Sequence, residues 1–87
     1  MEYTLYLWST DVGTGIGACH SYNFIEDGSS TEYKFVGTFR SLAQLIYLLL
    51  EKLPDDYPTR DVALSTAIDL WDGVLCGDYV YYQRDYV

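Results

Sequence analysis

Basic residues are scarce in this sequence. Its 87 residues include five Lys and Arg against thirteen Asp and Glu, which gives a formal net charge of −8 at pH 7. Proteins that hold nucleic acid directly neutralise its phosphates with Lys and Arg, so this composition argues against a direct nucleic-acid-binding role. It favours a partner protein with a positively charged surface.

Metal-ligating and nucleophilic residues are also few, with one histidine and two cysteines. Cys19, His20 and Cys76 show no zinc-type spacing, so we predict no metal site and no cofactor. We expect both cysteines to be free thiols in a reducing, cytoplasmic setting. The N-terminus shows no signal-peptide pattern, and the longest apolar run, over residues 42–50, is too short to span a membrane.

Candidates for catalysis are weak. Cys19 and His20 are adjacent on a predicted strand, so their side chains point to opposite faces and cannot form a nucleophile–base dyad. The paired carboxylates Glu26–Asp27 and Asp55–Asp56 fall in predicted turns, where carboxylates normally bond backbone groups or face water. We therefore assign no catalytic residue and expect a protein that is not an enzyme.

A glycine-rich stretch, Val12–Ala18, has the sequence VGTGIGA and satisfies the letters of the dinucleotide-binding fingerprint, with Glu32 downstream as a candidate ribose ligand. That fingerprint requires a helix whose N-terminus faces the phosphates. Residues 19–25 alternate like a strand instead, so we reject a phosphate site. We expect the glycines to form a mobile connection between the first two strands.

Alternating apolar patterns predict four strands, which cover Glu2–Thr10, Ala18–Glu26, Thr31–Arg40 and Tyr79–Tyr82. Residues 27–30 favour a turn, so the second and third strands are predicted to form a hairpin. In that hairpin Phe24 faces Tyr33 and Tyr22 faces Phe35, and aromatic pairs of this kind stabilise a sheet.

Two helices are predicted between the third strand and the last. The first begins at the capping box Ser41–Gln44 and ends at Pro54, and the second covers Arg60–Asp72, between a Thr59 cap and Gly73. The apolar residues of the second helix are predicted to share one side: Ala63, Leu64, Ala67, Ile68, Leu70 and Trp71. The chain is predicted to be a single α+β domain over residues 1–87. Its small antiparallel sheet has three N-terminal strands plus a short C-terminal strand, with two helices packed on one face.

The other side of the second predicted helix is acidic. Asp61, Asp69 and Asp72 are spaced to project from one face over about 16 Å of helix axis. No base lies on that face, although pairs of Glu and Lys would stabilise a merely solvated helix. Carboxylates along a rigid helix can imitate a row of phosphates. The predicted partner-binding residues are Asp55, Asp56, Tyr57, Asp61, Asp69, Asp72, Asp78 and Tyr79.

These features predict a non-catalytic inhibitor or adaptor that binds a basic protein surface, such as the nucleic-acid channel of a nuclease or defence complex. In composition alone, such a small acidic chain resembles the inhibitors that phages deploy against CRISPR and restriction systems. The alternative is a structural module that forms a homodimer through an aromatic surface. That surface would comprise Tyr6, Trp8, Tyr47, Leu48 and Tyr79–Tyr82.

Overall fold

The computed structural model describes residues 2–11, 13–20, 31–77 and 79–83, the last range by its backbone alone. The elements along the chain are β1 (Tyr3–Thr10), β2 (Gly13–Cys19), β3 (Glu32–Phe39), α1 (Leu42–Lys52), α2 (Arg60–Cys76) and β4 (Tyr79–Gln83). The strands pair in an antiparallel manner in the order β3-β1-β2-β4. The prediction of an α+β fold with an antiparallel sheet and two helices is confirmed.

β1 and β2 form a hairpin. The two strands pair from Thr10 opposite Gly13 to Thr4 opposite Cys19. The Thr10 hydroxyl donates to the Gly13 carbonyl oxygen at 3.2 Å, which ties the strand ends together. The prediction that the glycines form a mobile connection is therefore wrong, and the second strand begins earlier than Ala18. Residues 21–30, which contain the rest of that predicted strand, its turn and the predicted partners of Tyr33 and Phe35, lie outside the described residues.

β3 pairs with the other edge of β1 and contains a β-bulge. Leu5 faces Gly37 and Tyr6 faces Phe35, so Val36 is an extra residue in β3. The predicted strand over Thr31–Arg40 is confirmed as β3.

Both helices cover one face of the sheet. Alternation along β1 and β2 directs every second side chain to this face, where it meets residues of α1 and α2. The fully buried members of this cluster are Leu5, Ile16, Ala18, Phe39, Leu45, Leu49, Ala63, Ala67 and Leu70. Burial of each leucine-sized side chain contributes about 1.5–3 kcal/mol, so this cluster is the main hydrophobic core.

The opposite face of the sheet is formed by aromatic rings that lie over glycines. Tyr6 faces Gly17, and Trp8 faces Gly15. A Cβ atom added at Gly17 would lie 2.5 Å from Cζ of Tyr6, and one added at Gly15 would overlap the indole ring of Trp8. Tyr6 is fully buried and packs with Cys19. Packing against rings of the neighbouring strand therefore explains why glycine occupies these positions. The same rings cover the backbone that a phosphate would need to approach.

The capping box predicted for α1 is confirmed. The Ser41 hydroxyl accepts a hydrogen bond from the Gln44 N–H at 3.2 Å, and the Gln44 side-chain oxygen accepts one from the Arg40 N–H at 2.6 Å. At the other end, the Leu53 N–H donates to the Leu49 carbonyl oxygen at 3.1 Å, one residue before Pro54. Neither helix of the described chain has the length and apolar character needed to cross a membrane.

Candidate protein-binding surface

α2 carries three of the eight predicted partner-binding residues and is longer than predicted. The Thr59 hydroxyl caps its N-terminus and accepts a hydrogen bond from the backbone N–H three residues later at 3.4 Å. The helix then continues through Gly73 to Cys76. The prediction that Gly73 ends it is wrong, because Val74 is buried in the core cluster. Burial of that valine offsets the helix-propensity cost of a glycine, which is about 1 kcal/mol.

The inward side of α2 is formed largely by small residues. Its buried members are Ala63, Thr66, Ala67, Leu70 and Val74. At about 100° of rotation per residue they fall within an arc of about 100°. Leu64 and Ile68 lie outside this arc and are 36% and 42% exposed. The prediction that they share the buried side with Ala63 and Leu70 is therefore wrong.

Asp61, Asp69 and Asp72 form what we call the acidic row. All three are exposed, and they lie within an arc of about 80° on the outward side of α2. None of these three carboxylates forms an ion pair with a base among the described residues. The ion pair found in that part of the chain joins Glu2 to Arg40 at 3.4 Å. The acidic row therefore presents three uncompensated carboxylates on one rigid helix.

The loop before α2 contributes less than the sequence predicted. Asp55 is exposed, whereas Asp56 is half-buried and its N–H donates to the Leu53 carbonyl oxygen at 3.2 Å. Tyr57 is 6% exposed and belongs to the core cluster. Its ring stabilises the fold and is not accessible as a partner anchor, so we leave it out of the binding surface.

The last two predicted contact residues are not described at the level of side chains. Asp78 lies outside the described residues, and Tyr79 is described only as the first backbone position of β4. The surface is therefore built from the acidic row and Asp55.

A group of apolar side chains on α2 escaped the sequence prediction. Leu64, Ile68 and Leu75 are exposed, and Trp71 between them is half-buried. We call these four residues the apolar stripe. Their spacing of four, three and four residues is typical of a helix-pairing seam. The stripe was missed because Leu64, Ile68 and Trp71 were assigned to the buried side of the helix, and because a helix that ends at Gly73 excludes Leu75.

The cysteine and histidine side chains lie apart. Both cysteines are free thiols, as predicted, with Cys19 buried and Cys76 exposed. The His20 ring lies edge-on to Tyr3, with ring centroids 5.9 Å apart, whereas Cys19 packs with Tyr6 on the opposite face. The two neighbours are thus directed to different sides of the sheet.

Two shallow clefts lie beside Leu7 and Lys34, away from the acidic row. One, of about 270 Å³, also involves Ser9, Thr14 and Glu32. The other, of about 200 Å³, extends to Lys52 and Leu53. Neither cleft is lined by Cys19, His20 or Cys76, the residues that the sequence offered as a nucleophile or its base.

Comparison with known proteins gives no relative: no family model, curated protein or solved structure matches the chain. Functional inference therefore depends on the chemistry and geometry of α2.

Proposed function

We propose that this protein is a non-catalytic, intracellular inhibitor or adaptor whose acidic row binds a basic surface on another protein. The target in this proposal is a surface built to hold nucleic acid, such as the channel of a nuclease or of a CRISPR or restriction complex. The observation that carries the proposal is the exposure of three carboxylates without a compensating base among the described residues.

The spacing of the acidic row supports competition with nucleic acid. Asp61 and Asp72 are separated by about 16 Å along the helix axis, and phosphates on one strand of a duplex advance by about 3.4 Å each. The row therefore spans about five phosphate steps. Lys and Arg side chains arranged for a nucleic-acid backbone would form charge-assisted hydrogen bonds with these carboxylates.

The rigidity of α2 also favours this function. Ala63, Ala67 and Leu70 anchor the helix in the core, so the acidic row is held in place before a partner arrives. Binding then avoids most of the entropy cost of ordering a loop. An inhibitor of this kind needs no catalytic group, since occupation of the channel is enough to exclude nucleic acid.

The self-association alternative has less support. Tyr6 is fully buried, so its ring cannot belong to an exposed dimer surface, and the half-buried Trp8 ring already packs against Gly15. Tyr47 does remain 62% exposed on α1. Its hydroxyl bonds to the Glu51 carboxylate, and this hydrogen bond with the nearby negative charge raises the pKa of Tyr47.

Neutralisation of the acidic row tests the proposal. We expect D61N/D69N/D72N to bind a basic target about threefold to a hundredfold more weakly, because each of the three exposed ion pairs contributes about 0.2–1 kcal/mol. The measurement is displacement of a fluorescent DNA duplex from three purified targets: a type II restriction endonuclease, a type I restriction complex and a guide-loaded Cas9-type nuclease. Displacement by the wild type should weaken steeply as salt is raised.

The matched control is D11N/E32Q/E51Q, which removes the same number of negative charges from exposed positions outside α2. We expect this control to displace DNA within about threefold of the wild type, since charge far from a contact acts mainly through screened long-range attraction. The proposal is overturned if the wild type displaces DNA from none of the targets, or if the two triple variants weaken equally.

A further inference from the structure

The apolar stripe of α2 lies directly beside the acidic row. Leu64, Ile68, Trp71 and Leu75 fall within an arc of about 60° and extend over about 16 Å, or three helical turns. Leu75 is the most accessible at 57% exposed. Asp61 and Asp72 lie about 40° and 60° of rotation, respectively, from the middle of the exposed members of the stripe. One surface of α2 thus combines a continuous apolar seam with a negatively charged edge.

On the side away from the acidic row, the apolar stripe borders the hydrophobic core. The Trp71 ring contacts Tyr3 and Phe39, with centroid separations of 5.8 and 6.1 Å. Trp71 is therefore held in one position by rings from β1 and β3. Aromatic side chains fixed in this way are well suited to the centre of an interface, because little rotamer entropy is lost on binding.

We propose that the apolar stripe is a docking site for an amphipathic helix of the partner protein, with leucine-like residues along its contact face and Lys or Arg along one edge. This inference rests on the proposed function, because the acidic row supplies the attraction for that basic edge. A helix laid along α2 would place apolar side chains at the spacing of the stripe, as in other helix-in-groove complexes.

Charge complementarity selects this occupant over a second copy of the chain. After Arg60, α2 contains no Lys or Arg. Two copies paired through the apolar stripe would bring their acidic rows close together, and like charges across an interface oppose association. A partner helix with basic flanking residues gains from the same carboxylates that repel a second copy.

A designed peptide tests the docking site. The probe is a synthetic 21-residue peptide of leucine and lysine with leucines at the a and d positions of three heptads, and its control is a scrambled peptide of identical composition. We expect calorimetry to detect binding of the patterned peptide and circular dichroism to show that it becomes helical. The scrambled peptide should bind at least tenfold more weakly.

Substitutions at the stripe should remove this binding. We expect I68S/L75S to bind the patterned peptide at least tenfold more weakly than the wild type. The matched control is Y47S/V62S, which changes two residues that are 62% and 44% exposed but lie outside the stripe. That control should bind within twofold of the wild type, and thermal melts should show that both variants fold.

The outcomes separate the docking site from the proposed function. If I68S/L75S keeps full affinity for the patterned peptide, or the scrambled peptide binds equally well, the docking site is refuted even where D61N/D69N/D72N loses DNA displacement. If I68S/L75S loses the peptide while D61N/D69N/D72N still displaces DNA, the docking site stands and the acidic-row function fails. A wild-type dimer in sedimentation that I68S/L75S abolishes would assign the stripe to a second copy and overturn the proposal.

Discussion

The two faces of the sheet are buried by different means. Under the helices, aliphatic side chains such as Leu5 and Ile16 interlock with leucines and alanines from α1 and α2. On the opposite face, the rings of Tyr6 and Trp8 lie over Gly17 and Gly15 of the neighbouring strand. The face under the helices is filled by large side chains. On the opposite face, the positions of β2 that lie beneath the rings have no side chain at all.

This difference teaches how a glycine-rich strand can belong to a stable sheet. Glycine in a strand is normally destabilising because it has no side chain to pack and costs conformational entropy. Here the cross-strand aromatic ring fills the space that the missing side chain leaves. The two faces should therefore respond oppositely to a change in side-chain volume, with removal harmful on one and addition harmful on the other.

The largest effect is expected from removing volume under the helices. Leu5 is fully buried in the core cluster, so Leu5→Ala should lower the free energy of unfolding by about 2–5 kcal/mol through lost burial and the cavity left behind. Urea unfolding followed by circular dichroism measures this loss. A loss below about 1 kcal/mol would contradict the assignment of this face as the main core.

A smaller but diagnostic effect is expected from adding one methyl group on the opposite face. Gly17→Ala should lower the free energy of unfolding by about 1–3 kcal/mol, because the new Cβ meets the ring of a fully buried Tyr6. Gly15→Ala should cost less, since the half-buried Trp8 can move towards solvent. The same urea titration compares the two variants. The reverse order of the two losses would show that the distance to the ring, and not its burial, determines the cost.

The smallest effect is expected at a glycine on the helix-covered face. A Cβ at Gly37 would lie 2.8 Å from Cδ2 of Leu48, the end of a flexible side chain. Gly37→Ala should therefore change the free energy of unfolding by less than about 1 kcal/mol, because the strand gains from losing a glycine as Leu48 moves aside. If Gly37→Ala lowers the free energy of unfolding as much as Gly17→Ala does, the distinction between the two faces fails. Any glycine of the sheet would then be equally sensitive to an added methyl group.

Local signals made α1 predictable. Ser41 and Gln44 determine where it begins and Pro54 ends it, and these interactions involve residues close in sequence. The start of α2 after its Thr59 cap was predicted correctly, but its end was not. Packing of Val74 in the core outweighs the tendency of Gly73 to end the helix. Such a contact depends on tertiary packing that a sequence pattern does not contain.

β2 was missed although its glycines alternate with Thr14, Ile16 and Ala18, because a glycine-rich run offers few large apolar residues and is more typical of a loop than of a strand. A signal was nevertheless present in the combination of two segments. Tyr6 and Trp8 are two residues apart, as are Gly15 and Gly17, and the two pairs are mirror images about residues 11 and 12. Pairing the two segments about that midpoint sets each ring opposite a glycine, which is the register observed.

The candidate site was predictable in part for similar reasons. The acidic row follows from helical spacing alone, so its members were correctly placed on one exposed side of α2. Tyr57 was wrongly assigned to the interface, because a tyrosine suits a core as well as an interface. The apolar stripe was missed for two reasons: Leu64 and Ile68 were assigned to the buried side of α2, and Leu75 lies beyond the predicted end of the helix.

The two thiols differ sharply in accessibility. Cys19 is fully buried, whereas Cys76 is exposed at the end of α2, next to Leu75. A maleimide fluorophore added to the folded protein would therefore attach at one position of the natural sequence, and the buried thiol would react only after denaturation. The emission of that dye would report directly whether the neighbouring seam is occupied.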